Sequence, residues 1–308
     1  MNNNIKQALQ QLIIQIMNKN IRQAINQIEE SLNKTELNLS YLNLTTEDLI
    51  YIFNIEKYQG YFANLEKLSL SNNKLSNLPE KIFDNLINLE WLDLSDNKLL
   101  NLPEKIFGKL VKLEELDLAR NNLSDLPEKI FESLINLEKL SLLSNKLSDL
   151  PKKIFDNLVN LRQLFLSHNK LLNLPEKIFD NLVNLEWLFL PNNKLSNLPE
   201  KIFENLANLE ELNLSDNKLT NLPKEIFDNL VKLKALSLSR NKLSNLPQKI
   251  FDNLVNLRRL DLEDNKLKSL PEDIFEKLVN LKELSLEDNN LTSLPEKIKN
   301  KQGLKMYI

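Results

Sequence analysis

Apolar side chains in this chain return at a fixed step of 24 residues. Leu89, Leu92, Leu94, Leu99, Leu102, Ile106, Phe107 and Leu110 have counterparts at Leu113, Leu116, Leu118, Leu123, Leu126, Ile130, Phe131 and Leu134. The step holds without slippage from Leu65 to Leu281 and defines ten units. Inside each unit the period changes. Leu92-Asp93-Leu94 alternates, which predicts a short strand with both Leu inward and Asp93 outward. An Asn follows in every unit, from Asn73 to Asn289, where the chain leaves the strand and its backbone groups need new partners. Pro103 suits the first position of a short helical turn, and Ile106, Phe107 and Leu110 face inward beyond it. Nine Phe, from Phe83 to Phe275, hold one position. Such units, each too small to bury its own apolar face, stack into a solenoid with a shared core.

The pattern L-x-x-L-x-L-x-x-N-x-L-x-x-L-P-x-x-I-F-x-x-L-x-x covers residues 65–294 and extends weakly to about residue 34. It resembles the typical 24-residue class of leucine-rich repeats, in the form without Cys-rich caps found in bacterial or cytosolic proteins. The resemblance implies an α/β fold, a curved horseshoe solenoid. A concave parallel sheet of about 11 strands would face short helical or 3-10 segments on the convex side. It implies a recognition scaffold without enzymatic activity and names no partner, because a fold of this kind serves many.

The ends depart from the rule. Leu37, Leu39, Leu42 and Leu44 keep the strand register, but Leu42 replaces the Asn, so residues 34–64 read as a degenerate first unit. Before it, Ile5, Leu9, Leu12, Ile16, Ile21, Ile25, Ile28 and Leu32 recur at three- and four-residue spacing. That spacing predicts an amphipathic helix over residues 1–33, with a break near residues 18–20, laid as a cap on the first unit. Residues 65–304 hold the ten units, the last truncated: Lys299 stands where Phe belongs. Leu304, Met306 and Ile308 suggest a final strand, with 305–308 as the closing edge.

Composition narrows the chemistry. The chain has 308 residues, no Cys, one His and a net charge of −3. Without Cys, thiolate zinc sites, a catalytic Cys and disulfide caps are excluded, and a reducing compartment or a bacterial source fits. A single His rules out two-His metal motifs, and Gly60, Gly108 and Gly303 are too scattered to cradle a phosphate. No metal, cofactor or catalytic group is expected. The apolar segment Leu12–Met17 is too short for an export signal, and no window reaches the length of a membrane span. A cytoplasmic protein is expected, with delivery to a host cell by a non-Sec route left open.

The informative positions are those where units differ: the second, third, fifth, seventh and eighth, on the strand face. The fifth is usually Ser, Asp or Asn, but Phe165 and Phe189 break that habit in adjacent units. Trp187 shares their face, Leu143 and His168 lie on neighbouring strand exits, and Trp91 holds the third position four units earlier. Exposed aromatic clusters mark interaction sites, and Trp is enriched among binding hot spots. Trp91, Leu143, Phe165, His168, Trp187 and Phe189 are therefore the candidate partner-binding residues. Across the variable positions 18 acidic side chains face nine basic ones, a net of −9. The acids form a flank at Asp93, Asp96, Glu115, Asp117, Glu211, Asp261 and Glu263. Such a face repels nucleic acid and steers a protein or peptide with basic flanks. Opposite it, Lys74, Lys98, Lys146 and five equivalents follow the Asn and form a solvated row.

The reading is a non-enzymatic scaffold that binds a protein on its concave face, without nucleic acid or membrane, and monomeric. Alternatives are a secreted bacterial effector that engages a host protein, or an adaptor that recruits a larger complex through its N-terminal helical segment.

Overall fold

The computed structural model describes residues 18–299 and 301–308. Twelve short strands form one parallel sheet in strict chain order. They are β1 (Glu36–Asn38), β2 (Lys67–Ser69), β3 (Trp91–Asp93), β4 (Glu115–Asp117), β5 (Lys139–Ser141) and β6 (Gln163–Phe165). The sheet continues through β7 (Trp187–Phe189), β8 (Glu211–Asn213), β9 (Ala235–Ser237), β10 (Arg259–Asp261), β11 (Glu283–Ser285) and β12 (Lys305–Tyr307). The register is unbroken: each strand's central Leu pairs with the next, from Leu37 with Leu68 to Leu260 with Leu284. Met306 takes that place in β12, while Ile308 stays 67% exposed and covers nothing.

On the far side of the first nine units the chain makes turns in place of the expected short helical or 3-10 segments. Ile106 N–H donates to the Pro103 carbonyl, Gly108 to Lys105 and Leu110 to Phe107. These three-residue bonds fall on alternate residues, whereas a 3-10 helix needs them on consecutive ones. The turns aim the nine Phe at one another. Successive rings from Phe83 to Phe275 stack at 6.3–6.5 Å with interplanar angles of 7–13°. Strands in a sheet sit about 4.8 Å apart. The Phe side therefore has the longer repeat, and the solenoid bends with the sheet on its inside.

The front is covered by helix α1 (Lys19–Ser31), capped by Asn18, whose side chain accepts from Ile21 N–H. Its Ile21, Ala24 and Ile28 are buried, and it packs on β1 and on helix α2 (Thr46–Phe53). Ile5, Leu9, Leu12 and Ile16 of the expected helix lie outside the described residues. Thr45 and Asp48 form a reciprocal capping box at the start of α2, whose Leu49, Ile52 and Phe53 enter the core. A 3-10 turn (Glu56–Tyr58) and helix α3 (Gln59–Ala63) follow, and Phe53 meets Phe83 at 6.5 Å, starting the aromatic spine. At the other end, helix α4 (Glu296–Lys299) buries Ile298.

The buried Asn residues tie unit to unit. Asn217 Nδ2 donates to the carbonyls of Leu190, Leu214 and Ser215 at 3.0–3.1 Å. Its Oδ1 accepts from Leu195 N–H at 3.0 Å, so one amide serves two units. Asn217→Ala leaves these buried groups unpaired and is expected to cost about 3 kcal/mol in urea unfolding followed by circular dichroism. Asn289 makes the same bonds while partly exposed. Its Ala variant is expected to lose visibly less, because water replaces the amide; equal losses would contradict this account.

Candidate concave binding surface

Residues on either side of the buried central Leu of a strand point out of the sheet. In β7 this leaves Trp187 38% exposed and Phe189 half-buried around a fully buried Leu188. Phe165 and Phe189 are register partners, and their ring centroids lie 5.4 Å apart with 26° between the planes. Each ring covers one side of the other and stays half-buried. Trp187 stands between Gln163 and Glu211 in the register, on the same face as Phe189. An apolar patch of three rings therefore sits mid-sheet.

In its own unit Pro191 suits the substitution at Phe189, although Ser167 holds that position after Phe165. Where the fifth position is Asp or Asn, its side chain accepts the N–H two residues on. Asp93 takes Ser95 at 2.9 Å, Asp117 takes Ala119 at 2.8 Å and Asn213 takes Ser215 at 2.9 Å. Phe189 cannot accept, and Pro191 has no N–H to offer. The ring is accommodated without orphaning a donor.

The other candidates are placed differently. Leu143 is half-buried just beyond β5, and its carbonyl accepts from Arg120 N–H at 2.8 Å. His168 is exposed at the strand exit with φ 54°. All ten eighth-position residues, from Asn72 to Asp288, have φ of 49–56°. Among L residues, Asn and Asp enter this left-handed region most readily, and six of the ten are Asn or Asp. Trp91 lies four strands from β7, about 19 Å away by strand spacing, so it is no part of the aromatic patch. It lines a separate depression of about 740 Å³ with Ser31, Lys34, Lys67, Ser71 and Glu115. Sequence spacing could not show this hollow, because Ser31 and Lys34 reach it only through the packing of α1.

The acidic flank divides by cause. Asp93, Asp117 and Asp261 hold the local N–H bonds of the strand exit, and Asp96 fills a left-handed turn. Their side chains have a backbone explanation that a reading of surface charge alone misses. Several acids are also paired to the adjacent unit: Asp96 with Arg120 at 3.0 Å, Glu115 with Lys139 at 3.5 Å and Asp216 with Arg240 at 3.7 Å. Glu211 and Glu263 face the concavity without a local capping bond from their side chains.

Burial raises the Asp117 carboxyl above the ordinary aspartate value of 3.8, and Asp93, its register partner, adds to the rise. The Ala119 N–H works the other way. A raised folded-state value favours the neutral acid, so its stabilisation is full below the unfolded value and is lost as pH rises through the folded one. Asn213 shows that an amide fits this position. Asp117→Asn is expected to raise the melting temperature at neutral pH and to flatten the decline that begins above the ordinary aspartate value. A thermal melt series showing a lower Tm at neutral pH would refute the raised value.

A family model described as "Leucine rich repeat" matches overlapping segments between residues 63 and 300. Comparison with curated proteins gives no significant match. Among solved structures, a chain of the TLR13–ssRNA13 complex superposes with a TM-score of 0.73 at 31% identity, over 88% of this chain and 39% of that one. A chain of the octameric Latrophilin 3, Unc5D and FLRT2 complex gives 0.71 at 26% identity, over 88% and 82%. A chain of the Toll–Spätzle complex of Drosophila gives 0.55 at 25%, over 86% and 40%. The chain thus spans about two fifths of the length of the TLR13 and Toll matches. Proteins built this way are interaction scaffolds, and their family is generally non-enzymatic. With its 24-residue units matched almost from end to end, this chain belongs to the leucine-rich repeat family.

Proposed function

We propose that the chain binds a partner protein or peptide on its concave face, anchored on Phe165, Trp187 and Phe189. One observation carries this reading: two adjacent strands exchange the usual polar fifth residue for Phe rings that remain half-buried, beside a Trp that is 38% exposed. Rings in that state gain little for the fold and stand to gain more when a partner desolvates them. Leu143 and His168 border the patch at the strand exits. Glu211 lies one strand away and Glu263 further along, where basic side chains of a partner would find unneutralised acids.

Protein partners accompany two of the similar structures, Spätzle with Toll and Unc5D in the FLRT2 complex, and single-stranded RNA accompanies TLR13. The net charge of the variable concave positions favours the protein reading here. Phosphates approaching an acidic sheet lose the counterion release that drives nucleic-acid binding.

Panning a random linear peptide library against the whole chain is expected to enrich sequences with an aromatic or aliphatic centre flanked by Lys or Arg. Replacing Phe165, Trp187 and Phe189 together with Ser should weaken the enriched peptides at least about 100-fold, near 3 kcal/mol, by calorimetry. The circular dichroism spectrum should not change. Equal affinity for the triple variant would remove the aromatic patch as the anchor.

A further inference from the structure

We propose that two copies of the chain pair antiparallel through one flank of the solenoid, about a two-fold axis at the middle of the array. The flank is the return segment, which brings the chain from the Phe side back to the strand. In Leu110-Val111-Lys112-Leu113-Glu114 both Leu are fully buried, while Val111, Lys112 and Glu114 are exposed. The Val111 position is aliphatic in all nine units that have it, from Ile87 to Val279. Eight of these are Ile or Val with 43–69% exposure, and the ninth is Ala207. Asn, Lys and Glu fill most exposed positions of this chain, yet none occupies this one. At strand spacing the nine form a continuous apolar ridge about 40 Å long. It is held in place because Asn side chains clamp the backbone: Asn136 Nδ2 donates to the Val111 carbonyl at 2.9 Å, with equivalents along the row.

Charge names the occupant. Three residues beyond each ridge position is the second residue of the next unit, at most about 10 Å away along the chain. In the first four units this residue is Glu66, Glu90, Glu114 and Glu138; in the last three it is Lys234, Arg258 and Lys282. The flank is acidic at one end and basic at the other. Like charges on neighbouring strands repel, so the runs of like sign at the two ends cost the isolated chain. Only mid-array do opposite charges pair along the row, Arg162 with Glu186 at 2.7 Å and Lys234 with Glu210 at 2.6 Å. Against a second copy the cost becomes a gain.

A two-fold axis along the radius through the middle of the arc lays each ridge on the other in reverse. The ridge residue of unit one then faces that of unit nine, Ile87 against Val279. Glu90 meets Lys282, Glu114 meets Arg258, Glu138 meets Lys234 and Arg162 meets Glu210. Val183, fifth of the nine ridge residues, meets its own copy on the axis. The one like pair is Glu186 with its own copy beside the axis, and Glu186 is already held by Arg162 at 2.7 Å. A single axis thus centres both the ridge and the charge order, which two unrelated surface patterns have no reason to share. A parallel arrangement would set acid on acid. The proposed contact predicts a dimer where the sequence reading expected a monomer, and it leaves both concave faces open on the same side.

Sedimentation velocity of the whole chain over a micromolar dilution series is expected to show a species of twice 35.9 kDa. One variant carries Glu90→Lys, Glu114→Lys and Glu138→Lys, and another carries Lys234→Glu, Arg258→Glu and Lys282→Glu. Each should dissociate at least about tenfold more readily, with unchanged circular dichroism. Mixing the two, or combining all six changes in one chain, should restore the dimer, because opposite charges face again. A monomer at every concentration overturns the proposal, as does a dimer indifferent to these reversals or a mixture that fails to re-pair. Replacing Phe165, Trp187 and Phe189 with Ser should leave the dimer intact. Its loss there would move the contact to the concave face and overturn the flank, whatever becomes of peptide binding.

Discussion

The array depends on how each unit handles the point where its chain leaves the sheet. A strand of three residues cannot satisfy the backbone beyond its end, and the interior there is dry. One Asn per unit, buried in all but the last, answers this by donating to carbonyls of its own unit and the preceding one while accepting an N–H from the turn behind. Leu burial supplies most of the driving force and already excludes a one-residue slip, which would turn each buried Leu to the solvent face. The amide bonds add a directional constraint. They hold the 24-residue step, and with it the alignment that stacks Phe rings at 6.3–6.5 Å and bends the array around its sheet.

That dependence explains what could be read from the sequence. Period, strand, Asn and Phe positions are all fixed by burial in a repeated environment, so each appears ten or nine times and errors do not accumulate. The convex turns were less legible. Pro103, Ile106, Phe107 and Leu110 have helical spacing, but only alternate residues close three-residue bonds, and apolar spacing does not distinguish a helix from a series of turns. At the ends, where no repeat supports the inference, Ile308 lies exposed although it continues the alternation of Leu304 and Met306.

The candidate site was legible where it breaks a packing habit and illegible where a backbone constraint imitates choice. Phe165, Phe189 and Trp187 come together as the register requires. The eighth position varies between Asn, Asp, Arg, Ser and His, which reads as a surface tuned to a partner. Its common feature is a left-handed backbone, and the preference for Asn and Asp there is conformational. Asp93, Asp117 and Asp261 likewise serve the N–H groups two residues on. No sequence pattern separates an acid kept for its local bond from one kept for its charge.

Once those local duties are subtracted, two surfaces retain features that the single chain does not use. One is the aromatic patch, in which Pro191 removes the very donor that Phe189 could no longer satisfy, so the exchange at the fifth position is coordinated with its surroundings. The other is the flank, where charge changes sign along the array although every unit repeats the same fold. A repeat propagates whatever the fold needs, uniformly. Departures from uniformity that cost the fold little, or cost it something, mark where contacts outside the chain are to be sought. The two surfaces also face different directions, since the rings point into the concavity and the ridge lies along the side. An antiparallel pair can therefore form without covering the site, and would present two aromatic patches to a partner at once, raising its effective affinity through the second attachment.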